Sequence, residues 1–188
     1  FAFGIVFGGR FTDSPDESTL EYALGIFLGL NVLGLISGTI GASPSSIVGQ
    51  PNFVKKVVFP LEVLPAAMTG ALAYDLLIGF GLCLTGIIFL GPGLSLSVLY
   101  LPVILFPVFL MALGLSWFFS ALGVFVRDVS QLGSFLGLAL LYASGVFYSA
   151  EKAQAAAPGI WQFLQWNPIL QVIDSLRQVT LWGGELDW

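Results

Sequence analysis

The stretch Tyr22 to Ala42 reads YALGIFLGLNVLGLISGTIGA and carries no charge over 21 residues. A helix rises about 1.5 Å per residue, so this run is long enough to cross a hydrocarbon core of about 30 Å. Three further runs behave alike. Leu64 to Leu90 holds one charge, Asp75. Val98 to Val126 holds none, with Pro102 and Pro107 in its first half, and Val129 to Tyr148 is the fourth. A chain with four such runs belongs in lipid.

The composition agrees. Of 188 residues only 6 are Lys or Arg and 11 are Asp or Glu, while 57% are hydrophobic. So few charges could not keep a soluble surface wetted, and so much apolar surface excludes a disordered chain. The net charge of −5 supplies no basic stripe for nucleic acid. With no His and one Cys, a disulfide framework, a zinc cluster and a His-dependent triad are all excluded.

The joints between runs are short. Gly9 to Glu21 is acidic, Ser43 to Val63 contains Lys55, Lys56 and Glu62, Gly91-Pro92-Gly93 makes a tight break, and Arg127-Asp128 is a two-residue charged hinge. Lys and Arg concentrate in cytoplasmic loops. That rule places Lys55, Lys56 and Arg127 inside, and Arg10, Lys152 and Arg177 outside in more than twice the length. Phe1 to Gly9 lacks the basic start of a signal peptide and reads as the end of a first helix. Trp182 to Trp188 leads into no further run, so the sequence reads as a fragment cut inside a first helix and before a last one.

Chemistry-bearing residues are few. No phosphate-cradling Gly-x-x-x-x-Gly-Lys loop is present, and Gly8-Gly9-Arg10-Phe11 is no substitute. Cys83 sits among apolar residues, where a thiol stays protonated and inert. A carboxylate at a helix centre costs about 2.5–3.5 kcal/mol on the insertion scale, and about a dozen Leu, Ile and Phe in the same run return roughly 0.3–0.6 each. Insertion of Leu64–Leu90 is still favoured, with Asp75 facing protein or water. Gly25/Gly29, Gly34/Gly38 and Gly133/Gly137 are spaced four apart, which suits close helix packing within the subunit or a dimer seam.

Three places in the chain act together. Asn52-Phe53-Val54-Lys55-Lys56-Val57-Val58-Phe59-Pro60-Leu61-Glu62-Val63-Leu64-Pro65 begins with a short amphipathic piece between Pro51 and Pro60, read either as an interfacial helix or as a docking surface. Gly114-Leu115-Ser116 is followed by Ser120-Ala121-Leu122-Gly123-Val124-Phe125-Val126-Arg127-Asp128-Val129. Tyr142-Ala143-Ser144-Gly145-Val146-Phe147-Tyr148-Ser149 precedes Trp166-Asn167-Pro168-Ile169 and Arg177. In order and spacing the chain resembles the permease subunit of a type-2 ABC exporter, in the branch that exports bacterial polysaccharides such as O-antigen and teichoic acid.

The resemblance implies an all-α membrane protein: a polytopic helical bundle of six helices, about four of them complete here, forming a single transmembrane domain over 1–188. Residues 1–9 would end the first helix, 22–42, 64–90, 98–126 and 129–148 would span the membrane, and 149–187 would supply re-entrant outer helices. It implies a homodimer in the bacterial inner membrane and a separate cytoplasmic ATPase that holds the ATP and Mg, with no cofactor on this chain. By position, coupling to that ATPase falls on Gln50, Asn52, Phe53, Lys55, Lys56 and Phe59, with Arg127 and Asp128 either a local helix cap or a second contact. Aromatic faces stack on sugar rings, so Tyr142, Phe147 and Tyr148 are candidate channel-lining residues, with Tyr74 and Asp75 deeper. Trp161, Trp166, Trp182 and Trp188 read as an interfacial belt. The function expected is outward passage of a lipid-linked polysaccharide. The alternatives are export of small molecules or lipids by the same architecture, and an ion-coupled transporter using Asp75.

Overall fold

The computed structural model describes Phe11 and residues 18–50, 60–90, 95–126, 128–156 and 158–182, and among these every regular element is helical. Helix α1 runs Thr19–Val48, α2 Val63–Leu90, α3 Leu101–Phe125 and α4 Val129–Ala143. A 3₁₀ turn, Leu96–Tyr100, leads into α3. Three short helices follow α4: α5 (Ala150–Ala156), α6 (Pro158–Leu164) and α7 (Pro168–Arg177), the last continuing into one looser π-type turn, Gln178–Trp182.

The first helix starts three residues before the uncharged run because its cap is polar. Ser18 Oγ accepts from the Glu21 amide at 3.1 Å, and the Glu21 carboxylate accepts from the Ser18 amide at 3.2 Å. This reciprocal box satisfies two of the donors that a helix start leaves over. At 30 residues, α1 is about 45 Å long and overshoots the hydrocarbon core at both ends. Pro102 sits in the first turn of α3, where its missing amide costs nothing, and Pro107 is carried inside the helix.

Helix α1 is the centre of the bundle, flanked by α2, α3, α4 and α7. Leu28, Val32, Leu35, Ile36 and Ile40 recur at helical spacing and are buried on one broad face of it, while Phe27, Leu30 and Gly34 are exposed on the other. The outward faces of α2 and α3 expose Tyr74, Leu77, Leu82, Phe106 and Phe118. By length and composition, the helices at 19–48, 63–89 and 96–125 can each cross a membrane. The apolar run 129–148 does not form one helix. It ends at Ala143 after 15 residues, about 22 Å, because the chain turns away at Ser144.

Where helices meet closely, glycine makes room. A Cβ on Gly133 would sit 2.6 Å from the Gly41 Cα, and one on Gly123 would collide with the backbone of Pro44. Gly38 faces Leu72, and Gly137 faces Ser37. The glycine pairs therefore serve contacts inside the subunit, with Gly34 alone facing open space. Lipid tails are as apolar as leucine, so close packing and interhelical hydrogen bonds have to hold such helices together. Ser43 Oγ donates to Ser116 Oγ at 3.1 Å, and Ser116 Oγ donates to the Pro65 carbonyl at 3.0 Å, tying α1, α3 and α2.

These contacts set the topology. The C-terminal parts of α1 and α3 and the N-terminal parts of α2 and α4 share one end, which carries the joints around Gln50 and Asp128. The start of α1 meets the end of α2 at the other, where Gly86 lies against Leu24. The charge bias of the joints marks the first as the inner end and the second as the outer end.

Candidate functional site

At the outer end the backbone leaves the helix. Gly145 takes φ +69°, a left-handed conformation that a Cβ disfavours, and Leu170 Cγ lies 3.2 Å from where that Cβ would be. The turn sheds carbonyls that no helix hydrogen bond satisfies. In a lipid-embedded protein such groups need partners from within the protein. Side chains provide them. Asn167 Nδ2 donates to the Ala143 carbonyl at 2.9 Å and Tyr22 Oη to the Phe147 carbonyl at 3.2 Å.

Arg177 serves the remainder. Its guanidinium donates to the carbonyls of Gly145 at 2.9 Å, Val146 at 2.7 Å and Tyr148 at 3.2 Å, and Nε donates to Gly25 of α1 at 3.3 Å. The side chain is fully buried and stacks 3.8 Å above the Phe11 ring. Five donors on a rigid fork fit this task as no lysine could. Asp174, one turn earlier on α7, lies 3.4 Å from the guanidinium and accepts from the Ala150 amide at 2.8 Å. Burial pushes its carboxyl above the ordinary range, while the Ala150 amide and Arg177 pull the other way. One arginine thus joins α1, the turn after α4, α7 and Phe11.

The knot positions a cavity of about 580 Å³ between α4 and the short outer helices, lined by Ala139, Tyr142, Tyr148, Lys152, Ile160 and Leu164. Its wall is mainly apolar, with two phenols and one cation. Tyr148 Oη donates to the Tyr142 carbonyl at 2.7 Å, which fixes one ring across the end of α4. Phe163 and Trp166 project from α6 and the bend after it, both about 80% exposed. Trp161 beside them is half-buried.

The expected lining residues separate into three places. Tyr142 and Tyr148 share the outer cavity. Phe147, between them in sequence, is turned inward and packs on the core. Tyr74 and Asp75 are exposed on α2, away from that cavity, and Asp75 shares a different groove with Asn31.

Of the expected coupling residues, Gln50 is exposed beyond the end of α1, beside a crevice of about 440 Å³ that Ser45, Ser46, Leu64 and Met68 also line. Asp128 is exposed at the start of α4 and makes no side-chain cap there; only its carbonyl accepts, from the Gln131 amide at 3.0 Å. Asn52, Phe53, Lys55, Lys56, Phe59 and Arg127 lie outside the described residues. Among the described residues no cluster of His, Cys, Asp or Glu could hold a metal. Cys83 is buried, with its thiol toward the Leu24 carbonyl at 3.8 Å.

Sequence reasoning missed Asn31 and Asp174 and left Asn167 and Arg177 as motif positions without a task. The available signal was polarity in apolar company. Arg177 is the one cation in the stretch from Ala153 to Trp188, and a charge in such a segment needs a partner.

Two comparisons bear on this arrangement. The chain is 24% identical over 164 residues to the O-antigen export system permease protein RfbA of Klebsiella pneumoniae, an overlap of 87% of this chain and 62% of that protein. The chain therefore spans less than two thirds of that relative's length. Residues 1–181 match the ABC-2 type transporter family, which is nearly the whole chain. A helical bundle with apolar spans, basic inner joints and a short-helix outer end fits that match, and the chain belongs to the ABC-2 type transporter family.

Proposed function

We propose that this chain forms half of a membrane path through which an ATP-driven exporter moves a lipid-linked polysaccharide outward across the bacterial inner membrane. A second copy supplies the other half. A separate cytoplasmic ATPase, which carries ATP and Mg, docks at the inner end. The observation that carries the reading is the outer end. Irregular backbone is tolerated at membrane depth only where it is buried in protein or lines a cavity, and here Arg177 holds such backbone beside a phenol-lined cavity. Tyr142 and Tyr148 offer flat faces to a sugar chain there, with few directional bonds to arrest it. The similarity to an O-antigen export permease supports a glycan over a small drug as the solute.

Energy enters at the other end, through the Gln50–Phe59 joint and the Arg127-Asp128 hinge. Replacing Lys55 and Lys56 together by Glu in the full-length transporter reverses the charge of that joint. The expected outcome is loss of export, measured as polysaccharide reaching the outer face, while ATP turnover by the partner persists. Export at the normal rate would remove the docking assignment. If the variant also lost ATP turnover, assembly with the ATPase would be assayed by co-purification, and an intact complex would equally count against that assignment.

A further inference from the structure

The groove between α1 and α2 sets two polar side chains into an apolar wall where lipid would favour none. Asn31 and Asp75 both line it, together with Phe27, Leu30, Gly34 and Leu72, around a volume of about 320 Å³. Each polar residue lies within about 4 Å, along the axis, of the middle of its own helix. Asp75 is exposed on the outside of the subunit. The described cations, Lys152 and Arg177, both lie at the outer end and neither neutralises it.

The polar pair is a built feature. Asn31 Nδ2 donates to the Phe27 carbonyl at 2.8 Å, and its Oδ1 lies against Gly79, where any Cβ would collide with the carboxamide. Gly79 is one turn beyond Asp75, on the same face of α2. Gly34, one turn beyond Asn31 on α1, has nothing within 4 Å of a would-be Cβ. Two helices thus present a carboxylate, a carboxamide and a glycine to one open concavity at mid-membrane.

We infer that this groove is a water-filled part of the translocation path, with Asp75 and Asn31 as its hydrogen-bonding wall, binding water and the hydroxyl groups of a passing solute. Charged side chains at membrane depth face protein or water-filled cavities. A second copy fits less well. A two-fold contact sets a surface against its own copy, and two concave grooves leave a void between them. The inference deepens the proposed function and rests on it only for the solute; hydration of the groove stands on Asn31, Asp75 and their depth.

The test is cysteine labelling of the full-length transporter in membrane vesicles with a charged, membrane-impermeant methanethiosulfonate. Cys83 is buried, and the unsubstituted transporter, labelled alongside, supplies the background rate. Asp75→Cys and Gly34→Cys are compared with Leu82→Cys and Phe106→Cys on the exposed apolar faces of α2 and α3. The thiolate attacks the reagent's sulfenyl sulfur, forming a mixed disulfide and releasing methanesulfinate. Thiolate forms in water and not in hydrocarbon, so the groove variants are expected to label at least about ten-fold faster. Gly34 has room for the new side chain, so that variant keeps the test decisive if Asp75→Cys misfolds. Rates no faster than at Leu82 would overturn the inference, whatever solute the exporter carries. Efficient oxidative cross-linking of Gly34→Cys between copies, without labelling, would overturn it in favour of an interface.

Discussion

The two ends of the bundle are held together by different chemistry. At the inner end α1, α2, α3 and α4 meet as regular helices, backbone almost on backbone, through Gly123 against Pro44 and Gly133 against Gly41. Most of their carbonyls are satisfied within each helix, Pro44 being the break in α1, so packing and the Ser43–Ser116–Pro65 chain suffice. At the outer end the chain stops being helical at Ser144, and the carbonyls it sheds require outside donors. Arg177 meets that need. Among the described residues the fully buried charge, Arg177, serves the place where regular secondary structure fails.

Removing the guanidinium is the strongest way to break this contrast. Arg177→Leu leaves three turn carbonyls and Asp174 without their donor, and losing one partner of a buried charged network costs about 3–5 kcal/mol. Thermal unfolding of the purified full-length protein should show that loss. Arg177→Lys should restore less than half of it, because an ammonium cannot span the same fork of acceptors. A wild-type melting profile for Arg177→Leu would mean that the outer end is held by something else.

A smaller loss should follow at the inner end from Gly133→Val, which drives a side chain into the Gly41 backbone. Overpacking of this kind costs about 1–3 kcal/mol. Gly133 lies 10 residues before the end of α4 at Ala143, about 15 Å along the helix, so the two lesions should add within about 0.5 kcal/mol in the double variant. A larger coupling would show that the ends communicate through α4, and would replace the picture of two independent fastenings. The smallest effect is expected at Ser18→Ala. It removes the α1 cap at a cost of about 1 kcal/mol and should appear as faster amide exchange in the first turn of α1, with the Arg177 contacts unchanged.

Different features of the chain were legible to different depths. Helices α1, α2 and α3 are readable because an apolar run of this length, even with the one carboxylate of Asp75 in α2, has no other stable form in lipid. The end of α4 was not, since Ser144 to Tyr148 is as apolar as the helix before it. What turns the chain there is Arg177, 32 residues further on, accepting the cost of burial in return for carbonyls that a continued helix would not expose. Phe147 and Tyr148 look alike as outer aromatics, yet one faces the core and the other the cavity. That assignment follows from the turn's geometry. Asp75 stood out in the sequence as a misplaced charge, but its neighbour Asn31 lies on another helix and became visible only once α1 and α2 were packed.

Length and apolarity were therefore enough to put this protein in a membrane and to place three of its long helices. Those properties depend on the transfer of each segment from water to lipid, and each segment carries that energy by itself. The tertiary structure decided which polar groups meet. It brought Arg177 to the carbonyls of the turn after α4, Tyr142 and Tyr148 to one cavity, and Asn31 and Asp75 to the walls of one groove. Pairing is a property of two distant segments at once, since a buried hydrogen-bonding group is stable only with a partner at bonding distance.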